Sequence, residues 1–119
     1  VDLSSAEDAA FAQEDAFIAK LKEVIEEHME DADFGVMELS KIMSVSRSFL
    51  HRKLKALTNT SPINFIRIIR LHKARQLLQD KEFHISEVAY QVGFNDVSYF
   101  SRAFRQEFGV SPRDYRAGL

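Results

Sequence analysis

The sequence predicts an all-α protein built from two similar helical units joined by one long helix. Three observations carry this reading. No stretch of the 119 residues alternates apolar and polar with period two for long enough to form a strand. Only four glycines and two prolines punctuate the chain. Both prolines stand in Ser-Pro pairs, Ser61-Pro62 and Ser111-Pro112. A serine N-cap with proline at the first helical position starts a helix, because the serine oxygen accepts an orphan N–H and proline has none to lose.

Residues 1–14 are small and acidic and are expected to form a linker or frayed end. Phe17, Leu21, Val24, Ile25 and Met29 then recur at helical spacing, predicting an amphipathic helix over about 15–30. Lys20, Glu23, Glu26 and Glu27 take its solvated face.

An internal repeat follows. FGVMELSKIMSVSRSFLHRKLKALTNTSPINF (34–65) aligns with FHISEVAYQVGFNDVSYFSRAFRQEFGVSPRDY (83–115). Phe34, Val36, Glu38, Leu39 and Met43 match Phe83, Ile85, Glu87, Val88 and Val92 at an offset of 49. From Phe49 and Leu50 through Pro62 and Phe65, the matches to Tyr99, Phe100, Pro112 and Tyr115 run at an offset of 50. The second copy therefore holds one extra residue in its turn. Each unit reads as short helix, tight turn, longer helix, over about 36–58 and about 85–108, which is helix-turn-helix syntax. In the second, Ala89 permits close crossing and Gly93 suits a left-handed turn. In the first, Ser40 and Ser44 stand there, so the turn either differs or carries strain of about 1 kcal/mol.

The linker helix is expected over about 62–79. At ~1.5 Å per residue it spans roughly 27 Å, and with the body of each unit added it suits the ~34 Å between successive major grooves on one face of DNA. It carries two apolar stripes, Ile66/Ile69/Leu77 and Ile63/Leu71/Ala74/Leu78, which suits packing against a lobe on each side. A basic membrane or partner helix is the rival reading, and it needs a single apolar face.

The longer helices divide by face. Phe49, Leu50, Leu54 and Leu57 point inward in the first, leaving Ser48, His51, Arg52 and Lys55 outward at i, i+3, i+4 and i+7. Phe100, Ala103, Phe104 and Phe108 point inward in the second, leaving Ser98, Ser101, Arg102 and Arg105 outward. Such rows reach base edges and phosphates in a major groove. An ordinary solvated face mixes signs, but the first row has no acid. The formal net charge of −2 hides a split. Residues 1–35 hold eleven acids against two lysines, a balance of −9, whereas 36–119 hold fourteen Lys and Arg against seven acids, a balance of +7. That split points to a polyanionic partner.

Other classes fit poorly. The chain has no cysteine, and His28, His51, His72 and His84 are scattered with no HxxxH pair, so no metal site is expected. No glycine-rich phosphate loop or catalytic set is present, so neither cofactor nor enzymatic activity is expected. Tyr90, Tyr99, Phe100, Phe104, Phe108 and Tyr115 could form a stacking platform for single strands, but their helical spacing favours core. A protein-interaction module is the remaining alternative. It would not require two basic rows at matching phase.

The residues from Ile85 to Arg116, ISEVAYQVGFNDVSYFSRAFRQEFGVSPRDYR, resemble the signature of the AraC/XylS family of bacterial transcription regulators. SRSFLHRKLK, SPINFI and RLHKARQLL support this in the first half, and the resemblance covers about 15–117. It implies seven helices and one DNA-binding domain over 15–119. It implies sequence-specific binding of double-stranded DNA by two recognition helices in successive major grooves. By motif position, the base-reading candidates are Arg47, Ser48, His51 and Arg52, then Val97, Ser98, Ser101 and Arg102. Lys53, Lys55 and Arg105 resemble phosphate contacts. The first lobe is expected to supply most sequence choice and the second to anchor. The family usually has alanine and glycine at the Ser40 and Ser44 positions.

The acidic first helix and DADFGVMEL also resemble the output domain of hybrid two-component regulators. The start at Val1 and the segment Ser4-Ser5-Ala6 fit a C-terminal piece of such a chain. A one-component regulator with a ligand-binding domain is the competing context. Either implies a cytoplasmic domain acting with RNA polymerase and upstream domains of its own chain. A homodimer of the full protein and, for the hybrid, an inner-membrane anchor are also implied. No membrane contact is expected of this chain itself.

Overall fold

The computed structural model describes residues 3–119, with side chains from Gln13 onward. Seven helices and no strand occur among the described residues: α1 (Leu3–Glu27), α2 (Val36–Ile42), α3 (Arg47–Thr58), α4 (Pro62–Leu77), α5 (Ile85–Gln91), α6 (Val97–Phe108) and α7 (Pro112–Ala117).

The first helix begins earlier than its apolar periodicity suggests. Val1 and Asp2 lie outside the described residues, but the backbone is helical from Leu3, across most of the segment expected as linker. Ala6, Ala9, Ala10 and Ala12 are strong helix formers, so propensity extends the helix where no apolar stripe marks it. The helix ends at Glu27, followed by tighter bonds from His28 N to Ile25 O and Met29 N to Glu26 O.

The two helix-turn-helix units, α2–α3 and α5–α6, are built alike. The N–H of Gly35 donates to Glu38 Oε2 at 2.9 Å, and that of His84 to Glu87 Oε1 at 3.4 Å. In the turns, Val45 N donates to Ser40 O at 3.0 Å and Phe94 N to Ala89 O at 2.9 Å. Ser44 and Gly93 both take left-handed backbone, with φ 57° and 88°. The first turn therefore keeps the geometry of the second and accepts strain at Ser44 of about 1–2 kcal/mol. Ser40 fits the small-residue position because its buried hydroxyl donates to Met37 O at 2.9 Å. Ser46 caps α3 and Asp96 caps α6, their oxygens accepting from the N–H of Phe49 and Tyr99 at 3.0 Å. The two left-handed residues are 49 apart and the two caps 50 apart, which makes Asn95 the extra residue.

The Ser-Pro pairs open α4 and α7 as the cap rule requires. Ser61 Oγ accepts from Asn64 N at 3.3 Å and Ser111 Oγ from Asp114 N at 3.0 Å. At 16 residues, α4 is ~24 Å long. It packs against α1, α2 and α3 of one lobe and α5 and α6 of the other. A single buried cluster runs through both, from Leu21, Ile25, Leu39, Leu50 and Leu54 to Val88, Val92, Phe100 and Phe104.

At the centre lies Arg70, only 5% exposed. Its Nη1 donates to Met29 O and Val92 O, both at 2.7 Å. Its Nη2 donates to Asp31 O at 2.9 Å and Phe34 O at 3.1 Å. Burial lowers the pKa of this guanidinium, and the nearby charge of Asp31 opposes the shift. One side chain on α4 thus joins the loop entering the first lobe to the turn of the second.

Candidate nucleic-acid interface

The cap at Ser46 fixes where α3 begins, and so which way its first turn faces. Arg47, Ser48, His51 and Arg52 all stand exposed and line one shallow surface cleft. No acidic residue lines it. Lys55 is exposed one turn beyond Arg52. The cleft presents two guanidiniums, an imidazole and a hydroxyl, a donor-rich set suited to guanine edges and phosphate oxygens.

The cap at Asp96 does the same for α6. Ser98, Arg102 and Arg105 are exposed, whereas Val97 and Ser101 are half-buried and Val97 packs against the core. The second row is therefore narrower than the first. Phe100, Ala103 and Phe104 hold α6 to the lobe.

Lys53 is placed differently from the other basic residues. It is half-buried, with its ammonium 4.6 Å from the Phe17 ring centroid and 5.6 Å from that of Phe49. The charge sits over aromatic faces that tie α3 to α1. Phe49, expected inward, is 39% exposed beneath it.

Ile63, expected in an apolar stripe of α4, is 70% exposed. It lies at the edge of a groove of about 290 Å³ between the lobes, floored by α4 and walled by the starts of α2 and α6. Arg70 carries no local sequence signal of its burial, which depends on carbonyls brought together from distant segments. Among the described residues, no three His, Asp or Glu side chains gather as a metal site. No described helix is long and apolar enough to cross a membrane.

A family model described as a helix-turn-helix domain matches residues 39–118, which takes in most of the first unit, all of α4 and the whole second unit. The chain belongs to the AraC/XylS family of DNA-binding domains. Two curated relatives and one solved structure show what this AraC-type domain is similar to. Histidine kinase P4 of Formosa agariphila is 38% identical over 103 residues, covering 87% of this chain and 8% of that protein. The HTH-type transcriptional activator RhaS of Escherichia coli O139:H28 is 39% identical over 94 residues, covering 79% of this chain and 34% of RhaS. The chain thus spans 8% of the one relative and about a third of the other. The DNA-binding domain of the global transcriptional factor AdpA, solved with a target DNA, superposes with a TM-score of 0.75 at 29% identity, covering 84% of this chain and 89% of that one. The AraC-type chain is accordingly a DNA-binding domain of the kind found in transcription regulators, and its fold is not that of an enzyme.

Proposed function

We propose that this domain reads double-stranded DNA by placing α3 and α6 in successive major grooves. Arg47, Ser48, His51 and Arg52 face base edges in the first groove, and Val97, Ser98, Ser101 and Arg102 in the second. Lys55 and Arg105 meet phosphates. Lys53 reaches a phosphate only by leaving the rings of Phe17 and Phe49. The first lobe supplies more of the sequence choice, because α3 presents the wider exposed set. One observation carries the reading: an acid-free donor row on α3 recurs at matching phase on α6, each presented by a turn of the same hydrogen-bond pattern.

The domain works as the C-terminal output part of a longer cytoplasmic regulator acting with RNA polymerase. The upstream part is a hybrid sensor kinase anchored in the inner membrane, and dimerisation belongs to it. The likeness to histidine kinase P4, of which this chain spans 8%, favours that context over a ligand-binding domain.

The reading is tested by comparing two variants on specific and random duplexes. Arg52→Ala relaxes sequence preference and costs roughly 1–3 kcal/mol, whereas Lys55→Ala weakens both duplexes alike. Equal weakening by Arg52→Ala makes Arg52 a phosphate clamp, and lost selectivity in Lys55→Ala contradicts its assignment.

A further inference from the structure

The face of α4 between the reading helices carries an apolar and a basic residue one turn apart. Ile63 is the most exposed large hydrophobic among the described residues. Arg67 is half-buried, and its guanidinium has no hydrogen-bond or ion-pair partner among them, unlike Arg70 and Arg116. Ile63 shares one cleft with Arg47 and His51 of α3. It shares the inter-lobe groove with Arg67, with Asn95 of the second turn and with Tyr99 in the first turn of α6. Neither lining contains an acidic residue. The strip from Ile63 to Arg67 therefore runs between the leading ends of the two reading helices.

A duplex held in successive major grooves turns the intervening minor groove toward whatever lies between the two contacts. A narrow A·T-rich minor groove concentrates negative potential and attracts an arginine. Apolar side chains, isoleucine among them, commonly accompany such basic residues in the minor groove. An unpaired guanidinium beside an exposed isoleucine, with no acidic residue in the lining of either cleft, matches that surface. We propose that Ile63 and Arg67 contact the minor groove between the two half-sites. Arg67 enters the groove and Ile63 packs on its sugar wall. The base pairs that neither α3 nor α6 touches are then selected by groove width. The inference rests on the two-groove reading above and adds a specificity determinant outside both helices.

The test uses duplexes carrying two half-sites recovered by selection, with the centre built from A·T, G·C or inosine·C pairs. Inosine removes only the minor-groove amino group of guanine and leaves the major groove unchanged. The parent domain is expected to bind the A·T and inosine·C centres about 10-fold more tightly than the G·C centre. Arg67→Ala is expected to abolish that difference, to reduce the salt slope by about one, and to leave half-site preference intact. Unchanged melting of Arg67→Ala and Arg67→Lys confirms that the fold is retained. Equal affinity of the parent for all three centres overturns the inference, as does a centre preference that survives Arg67→Ala. A lower salt slope with the preference retained also overturns it, placing Arg67 on a phosphate. A parent with no half-site selectivity sinks the two-groove reading itself, whereas half-site choice without centre choice sinks only this inference.

Discussion

Arg70 and Arg116 clamp the same three positions of the internal repeat. Arg70 donates to the carbonyls of Met29, Asp31 and Phe34, and Arg116 to those of Leu78, Asp80 and Phe83. Each acceptor pair is 49 residues apart, yet the arginines are 46 apart. By the repeat's own offset of 50, the counterpart of Arg116 is Ile66, one helical turn before Arg70. Each trailing helix thus closes the orphan carbonyls that follow the leading helix, from a different turn. Only Arg70 has a fourth acceptor, Val92 O in the other lobe, and only Arg70 is fully buried.

Removing Arg70 is therefore expected to cost more than removing Arg116. Arg70→Ala strands several buried carbonyls at about 1–3 kcal/mol each, so the loss exceeds about 3 kcal/mol. Arg116→Ala exposes its acceptors to water and costs about 1–2 kcal/mol. Arg70→Lys does not rescue, because an ammonium lacks the forked donors that meet four acceptors. Urea unfolding of the three variants checks the order, and equal losses for Arg70→Ala and Arg116→Ala would refute it.

Gly93 and Gly109 separate backbone freedom from space. Both are left-handed, with φ 88° and 81°. A Cβ at Gly93 would overlap the Arg70 guanidinium and stand 2.6 Å from Met29 O, whereas one at Gly109 meets nothing within 4 Å. Gly109→Ala is expected to cost about 1 kcal/mol, the backbone share alone. Gly93→Ala is expected to cost at least ~2 kcal/mol more, because it also displaces Arg70. Thermal melting distinguishes the two, and similar shifts would contradict the overlap.

Ser44 holds a left-handed backbone with a side chain attached, so Ser44→Gly is expected to stabilise the fold. The gain is at most ~1 kcal/mol, since glycine also enlarges the unfolded ensemble. DNA affinity should be unchanged, because the turn already has its final geometry. Denaturant midpoints read this directly, and a loss of stability would show that Ser44 is unstrained.

Glu38 gives the N-terminus of α2 a pH dependence. Hydrogen bonds from its own N–H and that of Gly35 lower its pKa, helped by Lys41 and opposed by desolvation and, less, by Asp31. A depressed folded pKa means that the contribution is full above the ordinary glutamate value of about 4.3 and is lost as pH falls through the folded value. Glu38→Gln should therefore be less stable than the parent near neutrality and converge with it in acid. A stability gap that does not close below about pH 4 contradicts this cause.

Much of this was legible in the sequence. The paired Ser-Pro caps, the repeat and its single slip at the turn specify both helix-turn-helix units, because caps and amphipathic stripes are local signals. The earlier start of α1 was hidden because alanine propensity leaves no apolar stripe. Ile63 and Phe49 were placed inward by periodicity, yet exposure depends on whether another element covers that face, and nothing described covers Ile63. No local pattern separates Arg70 from the other basic residues of α4. Its burial requires carbonyls 22 to 41 residues away, a condition no local pattern encodes. On the interface side, the row on α3 was legible from spacing, whereas the seating of Lys53 over Phe17 depends on how α1 crosses α3.

The most direct test of two-groove reading is selection of bound duplexes from a random pool with this domain alone. The account predicts two short conserved blocks centred about 10 base pairs apart, one helical turn. It predicts the stronger block to be lost in Arg52→Ala, and an affinity that falls steeply with salt. A single short block, or recovery of no preferred sequence, would contradict it.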